Sequence, residues 1–352
     1  KLAIVYATLY QWNYQSRTAA WKEKAQLTLK KAVKLAPELP EVRFARGNFL
    51  ANIENNLPRA LTEYEWALTR QPNNSDIIND IGVLYLRMRR FEKAAGYFKK
   101  QYELDPYQIN SGGWVSAPYW LLRRWEDAEN WINIYLVNHP EHDFPYVRKA
   151  CIYLFGYGDL NAARAIINEG FEHVRNRRFI LNSGKWIIEL FSRNYREALE
   201  ISFSDAGVAN LRKGLIYRLM EEDDKSKMHF DSARVIYEKL VDANPEIAGW
   251  HSSLGLACAG LGLGSRAVRE GEKAVELSRK TRLLDDMLNP YSNPPLRLAH
   301  IHILIGNYDT AVEQLGALLS SPGELTHWRL KLDPLYDPLR SHPRFHELLE
   351  ES

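Results

Sequence analysis

Apolar residues recur along this chain at spacings of three and four, in short stretches broken by prolines, glycines and polar clusters. That rhythm predicts amphipathic helices rather than strands. The breaks are periodic. Pro72, Pro106 and Pro140 follow one another at a constant interval, and the step from Pro37 to Pro72 is longer by a single position. Upstream of each proline the same order of residues returns. One unit reads Gly82, Tyr85, Ala94, Phe98, Pro106, and one period later Ser116, Tyr119, Ala128, Ile132 and Pro140 fill the same places. The preceding unit has Gly47, Leu50, Ala60, Tyr64, Ala67 and Pro72, and a first unit ends with Ala25, Leu29, Ala32 and Pro37.

The pattern continues with looser ends. A fifth unit carries Ala150, Tyr153, Ala162 and Ile166, and a sixth carries Ala198. Later units carry Gly214, Tyr217, Phe230 and Ala233, then Gly255, Cys258, Ala267, Gly271 and Ala274, then Ala299, His302, Ala311, Leu315 and Leu318. Small residues let two helices approach closely, and large ones fill the spaces between them. A proline near the end of the second helix stops it. Each pair then stacks on its neighbours, because alone it cannot bury its apolar face. The expectation is an all-α chain of about nine helix pairs in which each pair touches only its neighbours. It divides into units 1–4 over residues 1–140, irregular units 5 and 6 over 141–206, and units 7–9 with a cap over 207–352.

These positions match, residue by residue, the Gly/Ala, Tyr, Ala, Phe and Pro places of a known repeat. The chain resembles the tetratricopeptide repeat, a helix-turn-helix of about 34 residues. The family's usual Trp near the start of the first helix is missing. The resemblance implies a right-handed superhelical solenoid whose first helices line a concave groove. On that side it places Asn48, Asn79, Asp80, Trp114, Trp120, Arg148, Arg212, Arg297 and His300. Trp114 and Trp120, with Phe144 and Phe155, are expected beside Arg148, and aromatics with Arg are the composition of binding hot spots. A core role for each Trp competes with that reading. The family's two-carboxylate clamp is not expected, because only Asn48 and Arg148 answer to it and Asp80 stands where an amide is wanted. The run from Leu332 to Arg340, followed by His342-Pro343-Arg344-Phe345, resembles the terminal cap of bacterial tetratricopeptide-repeat regulators. Those proteins often carry a nucleotide cyclase, a Ser/Thr kinase or a winged-helix domain. In that cap Phe345, Leu348 and Leu349 are expected to cover the last repeat.

Composition narrows the function further. The chain has 352 residues, 45% hydrophobic and 26% charged, with a formal net charge of +2. That balance gives no general attraction to nucleic acid. No stretch is long and apolar enough to insert in a membrane. No basic-then-apolar signal segment follows Lys1, and a processed or excised piece located in the cytoplasm rather than the periplasm is expected. Cys151 and Cys258 are too few for a disulfide framework and sit in apolar helical patterns as small core residues. Gly260-Leu261-Gly262-Leu263-Gly264 lacks the strand and glycine spacing of a dinucleotide site and is expected to be a turn between helices. His139-Pro140-Glu141-His142-Asp143 gathers metal-ligand types, but Pro140 keeps the histidines off one helical face, and no metal or cofactor is expected there. Arg89-Arg90 and Arg123-Arg124 share a turn position, and Glu221 to Asp224 fill the corresponding turn later, so the edge reads as solvated charge or as a docking strip for an acidic partner. No catalytic set is evident. The expectation is a non-enzymatic scaffold that binds a protein or peptide in its groove, or alternatively the sensor arm of a larger signalling protein.

Overall fold

The computed structural model describes residues 2–5, 7, 19–106, 111–175, 178–281 and 293–350, and among them there is no strand. The chain packs as two compact units, Lys1–Pro118 and Tyr119–Ser352. In the first unit residues 2–5 are helical. They are followed by α1 (Ala19–Leu35), α2 (Pro40–Asn52), α3 (Leu57–Arg70), α4 (Ser75–Arg87), α5 (Phe91–Leu104) and most of α6 (Ser111–Leu121). The second unit contains α7 (Trp125–Asn138), α8 (Asp143–Ile152), α9 (Leu160–His173), α10 (Phe179–Phe191), the short α11 (Tyr195–Leu199) and α12 (Ala206–Leu219). It continues with α13 (Asp223–Ala243), α14 (Ala248–Gly260), α15 (Gly264–Thr281), α16 (Pro294–Leu304), α17 (Tyr308–Leu319), α18 (His327–Leu332) and α19 (Pro343–Glu350). Side-chain oxygens of Asn74, Asp159, Asp205 and Asn293 cap the N-termini of α4, α9, α12 and α16, satisfying amides that no helical carbonyl can reach.

The repeat is written into the backbone. Every described turn inside a pair holds one residue in the left-handed region: Asn55, Arg89, Arg123, Gly158, Arg193, Glu221, Gly262 and Gly306, with φ between 51° and 83°. In each turn the following N–H reaches back to a carbonyl in the last turn of the first helix. Examples are Arg90 to Tyr85 O (2.8 Å), Arg124 to Tyr119 O (2.9 Å) and Asn307 to His302 O (2.8 Å). This closing bond satisfies a carbonyl that the helix end leaves bare. Five of the eight residues are not glycine and accept a conformation that costs an L-residue roughly 1–2 kcal/mol. The glycine-rich stretch around Gly262 is one of these turns, with Gly260 ending α14 and Gly264 starting α15.

Packing within pairs follows the small-to-large pattern. A Cβ at Gly82 would lie 2.7 Å from Phe98, so the Phe98 ring sits directly on the helix backbone. Gly47 meets Tyr64, and Gly214 meets Phe230, in the same way. Ser226, which replaces the usual alanine, donates its hydroxyl to Gly214 O at 2.9 Å and so offsets the cost of burying it. Cys151 and Cys258 are both buried and free. The irregular region differs in two places: α8 ends in a single π-helical turn at Tyr153–Tyr157, and α11 is only 5 residues long.

One expectation fails in the second unit. Pairs there do not touch only their neighbours, because the segment after α17 runs back across the array. Its Leu335 joins the core of Leu211, Phe230, Leu254, Ile301 and Leu304. The cap does cover the last pair, with Tyr336, Leu339 and Phe345 against Leu296, Ala299, Ile303, Leu315 and Leu319. Its reach extends much further, to Arg123 and Arg193 in the opening turns of the unit.

Candidate protein-interaction site

In the first unit the expected groove residues form a hydrogen-bonded set. Asn48, buried on α2, donates Nδ2 to Asp80 Oδ2 on α4 at 3.1 Å and to Phe44 O at 3.3 Å. Asn79 Nδ2 donates to Asp80 Oδ1 at 3.2 Å, and Tyr64 Oη approaches Oδ2 at 3.5 Å. Desolvation pushes the Asp80 carboxyl up to about 6, and its three donors offset only part of that. Beside this set Arg87 is buried and donates to Ala51 O (3.1 Å), Asn55 Oδ1 (2.8 Å) and Asn52 Oδ1 (3.4 Å). Trp114, also in this unit, stacks on Phe98 with 6.3 Å between ring centroids.

In the second unit Trp120, Phe144, Phe155 and Arg148 do come together. The Arg148 guanidinium lies 5.3 Å from the Trp120 ring and 4.8 Å from the Phe144 ring. Trp120 meets Trp125 and Phe155 edge-on at 5.3 and 6.1 Å. Yet Trp120 is only 2% exposed and Phe155 is fully enclosed, so their rings are core; Phe144 alone of the three keeps substantial exposure. The aromatic spacing that suggested a contact surface is here a packing pattern. Arg212 lies over Trp186 and Phe203 at 4.7 and 4.0 Å and donates to Ser183 Oγ at 3.3 Å.

A segment of the chain itself crosses the first-helix face of this unit. Arg123, in the turn after α6, donates Nη2 to Ser321 O (2.9 Å) and Leu325 O (2.8 Å), and Nε to Gly323 O (3.3 Å). Trp328 of α18 packs on Gly158, where positive φ and the lack of a side chain admit the indole. Arg329, fully buried, lies over Phe155 at 5.0 Å and 3.8 Å from Glu324. Arg193 holds Asp337 with two bonds of 2.6 and 3.0 Å. His300 Nε2 meets Tyr336 Oη at 2.9 Å. Of the inward positions assigned from the resemblance, Arg148, Arg297 and His300 thus face residues 321–337 of the same chain.

The electrostatics follow from burial. Glu324 is 2% exposed. Desolvation pushes its carboxyl up to about 7, against the opposing pull of Arg329, Asn293, Arg148 and Arg297. Asp333 is pushed up to about 6 in the same way, although the Leu335 N–H donates to it at 3.0 Å. Arg148 is pushed down to about 10 by burial, partly restored by Glu324, and stays charged at neutral pH. His300 is held well below its ordinary value by burial and by the Arg329 and Arg297 charges, so it is neutral.

Arg123, Arg193, Glu324, Trp328, Arg329 and Asp337 were not singled out from the sequence as a joint site. Arg123 carried a signal, its shared turn position with Arg89, but that position also suits any solvated turn. Here the docking-strip reading meets a different geometry, since Arg123 is spent on carbonyls and Arg124 pairs with Asp127 at 2.7 Å.

Residues 54–109 match the sequence model of the tetratricopeptide repeat. No curated protein matches the chain significantly. Among solved structures, a tetratricopeptide repeat protein from Parabacteroides merdae aligns over 88% of this chain and 97% of its own, with 15% identity and a TM-score of 0.43. Pseudomonas aeruginosa pilF aligns over 69% of this chain and 92% of its own, with 15% identity and a TM-score of 0.39. The APC/C hetero-tetramer Cut9-Hcn1 aligns over 80% and 61%, with 11% identity and a TM-score of 0.44. Among the described residues no helix is long and apolar enough to cross a membrane.

Proposed function

We propose that this chain, a tetratricopeptide-repeat protein, is a protein-interaction module whose second unit receives a polypeptide segment along its first helices. The carrying observation is the chain's own residues 321–337 on that face. Arg123 gripping three backbone carbonyls is sequence-independent recognition of the bent, non-helical backbone just before α18. Bidentate Arg193–Asp337 pairing and the Trp328 seat on Gly158 add side-chain selectivity. Residues 321–337 act as a ligand in cis, and a partner of similar chemistry, a bent stretch leading into a short helix with a Trp at its start and a carboxylate beyond its end, competes with them for the face.

A peptide spanning residues 320–340, labelled and added to the intact chain, tests this by fluorescence anisotropy. The wild-type face is occupied, so its apparent affinity is reduced by the fraction of open molecules. A chain with Trp328→Ala and Asp337→Asn keeps every receiving residue but weakens the cis contact. It should bind the labelled peptide at least about tenfold more tightly than wild type, a difference of about 1.4 kcal/mol. Equal, negligible binding by both folded proteins would make residues 321–337 ordinary core rather than a displaceable ligand.

A further inference from the structure

We infer that the turn between α7 and α8 is a binding site for a divalent late transition metal ion, zinc by preference, with His139, Glu141 and His142 as ligands. The turn is independent of the face that carries residues 321–337. One nitrogen or oxygen from each of the three residues lies within 4.8 Å of the others. His139 Nδ1 is 3.8 Å and His142 Nε2 is 3.5 Å from the same carboxylate oxygen, Glu141 Oε1. The two imidazoles lie parallel, 6° apart in plane with centroids 5.3 Å apart. Pro140 does keep the histidines off one helical face, but the turn folds back, with His142 N–H bonded to His139 O at 3.3 Å, and stacks the rings.

The surroundings have the form of a metal site. Zinc bound tetrahedrally at its usual ~2.0–2.2 Å needs donors about 3.3 Å apart, and side-chain rotations that turn the two ring planes toward one point bring the observed set into range. Two imidazoles and a carboxylate suit zinc, copper or nickel better than magnesium or calcium. Three protein ligands leave the fourth position to water. Tyr135, at the end of α7, places Oη 2.6 Å from His142 Nδ1. With Nδ1–H donating to that oxygen, His142 directs the Nε2 lone pair at the shared point, which is how an outer partner fixes a ligand's tautomer. The Tyr135 ring also packs on His139, centroid to centroid 4.8 Å. The Glu141 side chain is 60% exposed, so an ion has access from solvent. A bound ion would tie the C-terminus of α7 to the start of α8, the helix that carries Arg148.

The intact chain, stripped with chelator, is titrated with Zn²⁺ in competition with a chromophoric chelator, and Co²⁺ is used as a spectroscopic probe. One tight equivalent and a tetrahedral Co²⁺ spectrum are expected. His142→Gln and His139→Gln should abolish that equivalent. Glu141→Gln, on an exposed side chain that folding does not need, should weaken it while leaving the metal-free melting unchanged. Tyr135→Phe should weaken zinc by roughly tenfold or more while leaving the stoichiometry intact. Zinc binding of equal strength in the folded His139→Gln/His142→Gln double variant, or none in wild type, overturns the assignment.

Discussion

Glu324 offers the sharpest test of how residues 321–337 are held. Its carboxyl is buried beside three guanidinium groups, yet desolvation outweighs their attraction and pushes it up from 4.5 to about 7. The native state therefore binds this proton more tightly than the unfolded chain does. Stability from this group is complete below pH 4.5 or so and is lost as pH rises through about 7. The difference between the two values corresponds to about 3 kcal/mol between acid and mildly alkaline solution. Glu324→Gln fixes the neutral form in nearly the same volume. It should match wild type near pH 4 and exceed it by up to about 3 kcal/mol near pH 8.5. Urea unfolding followed by circular dichroism at both pH values reads this directly. Asp333, pushed up to about 6, leaves a smaller slope of the same sign in the variant. A Glu324→Gln protein less stable than wild type at the alkaline end would refute the reasoning, since it would mean the guanidiniums keep Glu324 ionised and depend on its charge.

Trp120→Ala should lower stability by about 3–5 kcal/mol whether or not a partner is present, because the indole is enclosed by Trp125, Phe155 and Arg148. Chemical denaturation measures it, and a folded variant of unchanged stability would return the indole to a contact role. Arg123→Gly relieves left-handed strain at φ 57° but removes three donor contacts to carbonyls. It should be destabilising and accelerate hydrogen exchange over residues 321–325.

The repeat was legible because its causes are local. A glycine opposite a phenylalanine of the next helix, as in Gly82 and Phe98, is a short-range packing rule, and the pairs it marks are those seen. The cap was legible for the same reason: Phe345 and Leu348 lie near the helix they cover, beside Leu315 and Gly316. The receiving face was legible only as a set of places. Which inward side chains are core depends on depth, and sequence spacing cannot separate an enclosed Trp120 from a half-exposed Phe144. The path of residues 321–337 was not legible at all. Arg123 grips backbone carbonyls, which every residue offers, so no side-chain type around Ser321 announces the partner. The His139–His142 stack was hidden by a correct premise, since Pro140 does exclude a shared helix face while leaving a folded turn open.

The tether from Arg123 to Leu325 also changes how the second unit should come apart. A linear array of pairs has low contact order: it can nucleate anywhere, and its ends fray without consequence for the middle. Here Arg123 and Leu325 are 202 positions apart, and Arg193 and Asp337 are 144 apart. Those contacts close a line of neighbours into a loop, so the entropy of closing it must be met before they form. Folding should be slow for an all-helical unit of this size, and melting should be one concerted event rather than progressive fraying. Residues 321–337 leave the ribosome after every pair they bind, and their arrival would then decide when those pairs become cooperative.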